Sequence, residues 1–153
     1  MKSEHLSLLP THRQLYYGGA WHPSLKKSAT DLINPATGAS LGVAAEAGSA
    51  DVDAAVAAAK AAFQIWRNVK PLERADRLRA LAASLRRHSD ELATLDSIDC
   101  GNPVAEMHRD VEMGARGLEL FAGLVTEMKG ETIPVSADHL NYTVREPLGV
   151  VAR

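Results

Sequence analysis

The stretch PLERADRLRALAASLRRHSDELATLDSIDCGNP, residues 71–103, decides how the rest of the chain is read. Pro71 suits the first turn of a helix, where its missing N–H costs nothing, and Glu73 follows where a carboxylate favours the helix dipole. Leu72, Ala75, Leu78, Ala82, Leu85, Leu92 and Leu95 recur at helical spacing, while Arg74, Arg77, Arg79, Arg86, Arg87 and Asp90 lie mostly off that stripe. The pattern predicts one long amphipathic helix with its end at Cys100-Gly101. Asn102-Pro103, an N-cap followed by a first-turn proline, then opens another helix.

That next helix has its seam at Val104, Met107, Val111, Leu118, Phe121, Val125 and Met128, with Gly114 at the centre as a place for close approach. It is expected to stop at Gly130. Upstream, Ser49 reads as the N-cap of a first helix running to about Asn68, with Asp51 and Asp53 in its first turn. Val52, Val56, Ala59, Phe63 and Trp66 form its apolar line, and eight of the thirteen residues from Ala50 to Ala62 are Ala, which suits close packing. Before it, residues 15–48 read as two or three short strands on an edge, punctuated by Gly18-Gly19, Asn34-Pro35 and Thr37-Gly38. After the third helix, residues 131–153 read as a connection and then extended chain. There Leu140, Tyr142 and Val144 alternate, Pro147 interrupts, and Val150 and Val151 resume the apolar pattern. Residues 1–14 are expected to be a loose leader.

Composition bounds the function. The 153 residues carry 46% apolar and 24% charged side chains, and 17 basic against 19 acidic groups give a net charge of -2. No field of either sign draws a nucleic acid or an anionic membrane, and the acids interspersed along the Arg-rich second helix argue against a nucleic-acid binder. Cys100 is the one cysteine, so no internal disulfide is possible, and a reducing, cytoplasmic setting is the default reading. No apolar run reaches the roughly 18 residues of a membrane span, and no signal peptide is visible.

The residues offer little catalytic chemistry. Gly114-Ala115-Arg116-Gly117 lies inside a helical pattern and follows no strand, so helix packing explains it better than a phosphate cradle. Cys100 has carboxylate-bearing Asp99 beside it and no neighbouring base, which favours a structural thiol over a nucleophile. The six His show no pair at metal-ligand spacing, and Arg86-Arg87-His88 reads as a solvated helix face. Asp99 lies near a turn, either as a cap or ion-pair partner or as a cation ligand together with backbone oxygens.

The order of motifs carries further. LYYGGAW (15–21), LINPATGASLGVAAEA (32–47), SADVDAAVAAAKAAFQIW (49–66), residues 71–103, DVEMGARGLELFAG (110–123) and NYTVREPLGVVAR (141–153) resemble, in register, the N-terminal portion of the aldehyde dehydrogenase superfamily. The resemblance implies an α/β parent fold, of which this stretch is mostly α: three long helices with short N-terminal strands and a C-terminal strand. It also implies oxidation of an aldehyde to a carboxylic acid with NAD or NADP, through a thiolate nucleophile, an oxyanion-stabilising asparagine and a glutamate that activates water. Those groups are expected beyond Arg153, so the chain reads as a truncated segment, inactive alone, that binds neither cofactor well. No catalytic role falls to Cys100.

By the same resemblance Arg109, Met113 and Gly117 line the aldehyde entry tunnel, where Arg109 either favours an acidic or polar substrate or points to water. Asp99 with main-chain groups of Leu32 and Ile33 corresponds to a monovalent-cation site, and His139 to Glu146 to the arm through which subunits pair by strand addition. Asn102 stands where the family's turn usually has lysine, and Cys100 stands where a polar residue is more usual. The alternative to an enzyme segment is a non-enzymatic module that pairs with itself or with full-length subunits through the 139–153 region, an open edge of the kind that normally needs cover.

Overall fold

A computed structural model describes residues 8–152. Ten elements follow in order: β1 (Leu15–Tyr17), β2 (Ala20–His22), β3 (Ser28–Ile33), β4 (Ser40–Glu46), α1 (Ser49–Trp66), α2 (Pro71–Arg87), α3 (Ser89–Cys100), α4 (Val104–Gly123), β5 (Thr132–Ser136) and β6 (His139–Tyr142). The strands form three separate antiparallel hairpins, β1-β2, β3-β4 and β5-β6. Short connections allow only antiparallel neighbours, because a parallel pair needs a crossover of a dozen residues or more.

The turn between β3 and β4 shows how sequence sets geometry. Asn34 is buried, and its side-chain oxygen accepts the N–H groups of Ala36 (2.9 Å) and Thr37 (3.2 Å). This is the Asx geometry that makes Asn-Pro a turn initiator. The chain then enters α1 through Gly48, one residue before the expected cap at Ser49. Asp51 performs the capping from inside the first turn, accepting the N–H of Gly48 at 2.9 Å and that of Leu25 at 3.0 Å. One buried carboxylate thereby fastens the start of α1 to the loop between β2 and β3, and those backbone donors hold its pKa below the usual carboxylate range.

The long second helix expected from the sequence is two helices. His88, at φ -106° and ψ 19°, is outside helical geometry and serves both as the C-cap of α2 and as the N-cap of α3. The charges explain the break: Arg86 and Arg87 occupy the last turn of α2, and Asp90 and Glu91 the first turn of α3. Each pair favours the helix end of opposite dipole sign, the basic pair a C-terminus and the acidic pair an N-terminus, so together they favour a boundary between them. α3 ends at Gly101, which adopts the left-handed conformation at φ 80°. α4 begins one residue later than expected, with Pro103 rather than Asn102 at the cap, and ends at Gly123 rather than Gly130. Gly123 is a poor helix former and β-branched Val125 and Thr126 follow it, so the backbone turns there, with the N–H of Glu127 bonded to the carbonyl of Leu124 at 3.0 Å.

The core lies where α2 and α3 pack on α4. Its fully buried members are small: Ala75 and Ala82 of α2, Ala93 of α3, and Ala115 and Ala122 of α4, joined by Ile98, Met107 and Leu41. The α4 seam is therefore rotated from the expected one. Met107 is buried as read, but Val104, Phe121 and Met128 are exposed, and alanines carry the close contacts. Gly114 meets the side chain of Leu85 at ordinary contact distance rather than another backbone. α1 buries only Asp51, leaving Val52, Ile65 and Trp66 exposed. At the C-terminal end, β5 and β6 are exposed along their whole length. The strand expected to resume after Pro147 does not form: residues 147–152 join no ladder among the described residues, and Gly149 turns the chain at φ 100°. Of the leader, residues 1–7 lie outside the described residues. Arg13 is anchored: its carbonyl accepts the N–H of Ala45 at 2.8 Å and its guanidinium donates to the carbonyl of Leu41 at 3.1 Å.

Candidate functional site

α4 places Arg109 and Met113 on one exposed face because they stand one turn apart. They line a shallow depression of about 430 Å³ with His108, Glu112 and Arg116. Gly117, one turn further, is half-buried and not part of that lining. The guanidinium of Arg109 pairs with Glu106 at 2.6 Å along its own helix, and Met113 is 68% exposed. The depression thus presents an exposed thioether among paired charges, with Arg109 bonded to Glu106 and Arg116 to Glu112.

An ionic lattice borders it. Arg86 of α2 reaches across to α4, donating to Glu112 at 2.9 Å and to Glu119 at 2.5 Å, while Arg116 donates to Glu112 at 2.8 Å. The guanidinium bonds of Arg86 and then Arg116 push Glu112 down to about 2, those of Arg86 also lower Glu119, and the two carboxylates raise Arg86 in turn. This network was read from the sequence only as a solvated face. The usable signal was the spacing of Glu112, Arg116 and Glu119, which sets two acids on one face of α4 with a base between them.

Asp99 and Leu32 share a second cavity, of about 210 Å³, whose lining includes Arg13, Leu41 and Asp96. Ile33 is exposed and stands outside that lining. The sequence reading missed Arg13, whose side chain shares that lining with the two carboxylates while its guanidinium bonds the carbonyl of Leu41. Among the described residues no group of three or more His, Cys, Asp or Glu side chains is arranged to hold a metal ion. Cys100 is exposed at the last residue of α3. Gly114 to Gly117 sit inside α4, and the sheets are antiparallel hairpins, so the described residues do not compose the parallel strand–turn–helix cradle of a dinucleotide site. No hydride-transfer step is assigned to them.

The His139 to Glu146 region contains β6 and the residues after it. Here Gly130 lies so close to the carbonyl of Thr143 that a side-chain carbon would overlap the oxygen. Thr143 donates its N–H to Glu131 at 2.9 Å and accepts the N–H of Glu131 on its hydroxyl at 2.9 Å, which closes the base of the hairpin. The result is an exposed two-stranded arm. No helix among the described residues is long and apolar enough to cross a membrane.

Residues 21–153 match the sequence profile of the aldehyde dehydrogenase family. The chain is 45% identical over 148 residues to the aldehyde dehydrogenase tropH of Talaromyces stipitatus, a match covering 95% of this chain and 29% of that protein. It is 40% identical over 144 residues to the putative aldehyde dehydrogenase DhaS of Bacillus subtilis, covering 92% of this chain and 29% of the relative. Among solved structures it superposes on HpcC of Thermus thermophilus with a TM-score of 0.88 at 33% identity, covering 95% of this chain and 28% of that one. A betaine aldehyde dehydrogenase of Staphylococcus aureus, solved with NAD+, gives 0.88 at 28% identity over 94% of this chain and 30% of its own. The chain thus spans less than a third of the length of the relatives it matches. Motif order, hairpins and helices converge with these likenesses, and the chain belongs to the aldehyde dehydrogenase family, of which it is an N-terminal portion.

Proposed function

We propose that this chain is the outer, N-terminal segment of an NAD- or NADP-dependent enzyme that oxidises an aldehyde to a carboxylic acid, and that it supplies framework and approach surface rather than reacting groups. Membership of the family over residues 21–153 carries the reading. In it, Arg109 and Met113, with Gly117 behind them, border the path of the aldehyde, the arm of residues 139–153 pairs subunits, and the cavity of Asp99 and Leu32, with Ile33 at its edge, is a weak cation site. Arg13 lowers the cation affinity of that cavity by Coulomb repulsion. The soluble setting proposed is the cytoplasm.

The reading is tested with a covalent chimera in which this chain replaces the matched segment of tropH. Formation of NADH from an aldehyde substrate, at a rate within about tenfold of tropH itself, is expected, since the reacting groups then come from tropH. A soluble but inactive chimera refutes the reading. So does saturable aldehyde oxidation by the pure 153-residue chain.

A further inference from the structure

Two arginines flank Met113 in the depression on α4. Arg109 stands four residues before it and Arg116 three after, so the three share one helix face over about 10 Å. Each guanidinium is held at one nitrogen. Arg109 donates from Nη1 to Glu106 at 2.6 Å, and Arg116 from Nε to Glu112 at 2.8 Å. Neither makes a further hydrogen bond among the described residues, which leaves Nε and Nη2 of Arg109 and both terminal nitrogens of Arg116 with donors to offer a ligand.

The acid in the same lining is already taken. Glu112 accepts Nε of Arg86 at 2.9 Å on one oxygen and Nε of Arg116 at 2.8 Å on the other, and the bonds of Arg86, then Arg116, hold its pKa down to about 2. The pair between Arg109 and Glu106 is of a weaker kind. It joins side chains 72% and 52% exposed on one helix, through a single bond, and an exposed ion pair of this sort contributes little in water. A planar guanidinium binds a carboxylate best through two parallel N–H bonds, which Glu106 does not accept.

Resting on the function proposed above, which sets Arg109 and Met113 on the path of the aldehyde, we infer that this depression selects aldehydes that carry a carboxylate at the far end of an apolar chain, the semialdehydes of dicarboxylic acids. The carboxylate of the ligand displaces Glu106 and takes Arg109 in a two-bond pair. Its carbon chain lies against the Met113 thioether, and Arg116 supplies a second cation on the other side. A neutral aldehyde of the same length leaves the pair of Arg109 and Glu106 as it is and gains only the contact with Met113. Selectivity thus comes from an exchange of partners at one guanidinium.

The test uses the covalent chimera with tropH and measures NADH formation from adipic semialdehyde and from hexanal, aldehydes of equal chain length that differ by one carboxylate. The readout is the ratio of the two kcat/KM values. Arg109→Gln is expected to lower that ratio at least about tenfold, chiefly by raising KM for the semialdehyde, because the lost contact is made in the bound state and the transition state alike. Arg109→Lys keeps the charge without the fork and is expected to fall between the two. Glu106→Gln releases the guanidinium and is expected to raise the ratio about threefold. Both positions are exposed, so retained helicity by circular dichroism shows that the fold survives. An active chimera whose ratio stays within about twofold on Arg109→Gln overturns the inference and leaves the proposed function standing, as does a ratio lowered by Glu106→Gln. A soluble but inactive chimera refutes the proposed function, and the inference with it.

Discussion

Replacing Gly101 by Ala tests whether the end of α3 is fixed by backbone conformation, by contact, or by both. Gly101 has φ 80° and ψ 4° and donates its N–H to the carbonyl of Ser97 at 3.0 Å, which closes the helix. An L-residue in this left-handed region costs about 1–2 kcal/mol, and the loss of glycine's freedom in the unfolded chain returns about 0.4–1 kcal/mol. Backbone strain alone therefore amounts to about 1 kcal/mol. A side-chain carbon at Gly101 would also sit 2.9 Å from Cγ of Pro35, in the rigid Asn34-Pro35 turn. Overpacking against such a neighbour adds about 1–3 kcal/mol, giving a total of about 2–4 kcal/mol. Gly38→Ala is the internal control, because Gly38 has φ 69° with nothing within 4 Å of the added carbon and so carries the backbone cost alone. Urea unfolding followed by circular dichroism gives both values. Pro35→Ala in the Gly101→Ala background removes the contacted atom, and the double-mutant cycle should show a coupling of about 1–2 kcal/mol. The reasoning fails if Gly101→Ala and Gly38→Ala agree within about 0.5 kcal/mol, or if the cycle shows no coupling.

Three further outcomes are expected. Gly130→Ala should open the base of the β5-β6 hairpin and raise hydrogen exchange of the Thr143 amide about tenfold, with the core amides of α2 and α4 unchanged, since both strands of the hairpin are exposed along their whole length. Glu112 should titrate near pH 2 when its side-chain carboxyl carbon is followed by NMR, and Arg86→Met should move the midpoint back toward 4.5. Because the folded value is the lower one, the stabilisation by Glu112 is complete above about pH 4.5 and is lost as the pH falls toward 2; a midpoint unmoved by Arg86→Met would remove Arg86 as the cause. Asp51→Asn replaces an acceptor of two backbone N–H groups by a side chain that presents a donor as well, so thermal unfolding should come at lower temperature. The variant should also lose part of the acid sensitivity seen below the ordinary value of 3.8, because the Asp51 pKa is depressed in the fold.

Much of this was legible in the chain itself. Local signals carried the hairpins: Gly18-Gly19 joins β1 to β2, and Asn34-Pro35 with Thr37-Gly38 turns β3 into β4, at the places read from the residues. The ends of α1 and the start of α2 lie within two residues of their expected positions because Asp51 and Pro71 act on their own helix termini. The break at His88 was written in the charges, yet the continuous leucine stripe concealed it, since periodicity is blind to a single residue that leaves helical geometry.

Other features depend on which elements meet. The rotation of the α4 seam onto Ala115 and Ala122 follows from α2 and α3 packing closely enough to admit only small side chains, and helical spacing alone cannot separate a buried alanine from an exposed one. The bridge from Arg86 to Glu112 and Glu119, the anchoring of Arg13 on Leu41, and the convergence of Arg13 with Asp96 and Asp99 join residues far apart in sequence. By itself the sequence determined the helix starts, the turns of the first two hairpins and the family, because each is set by neighbours within a few residues or by motif order. It did not fix that residues 15–48 form four strands or that residues 71–100 form two helices. Only the tertiary structure decided which faces are covered. It leaves Trp66 and Val151 exposed beside one depression on α1, and Leu148 open to water, since burial depends on what packs against a residue and not on its own hydrophobicity.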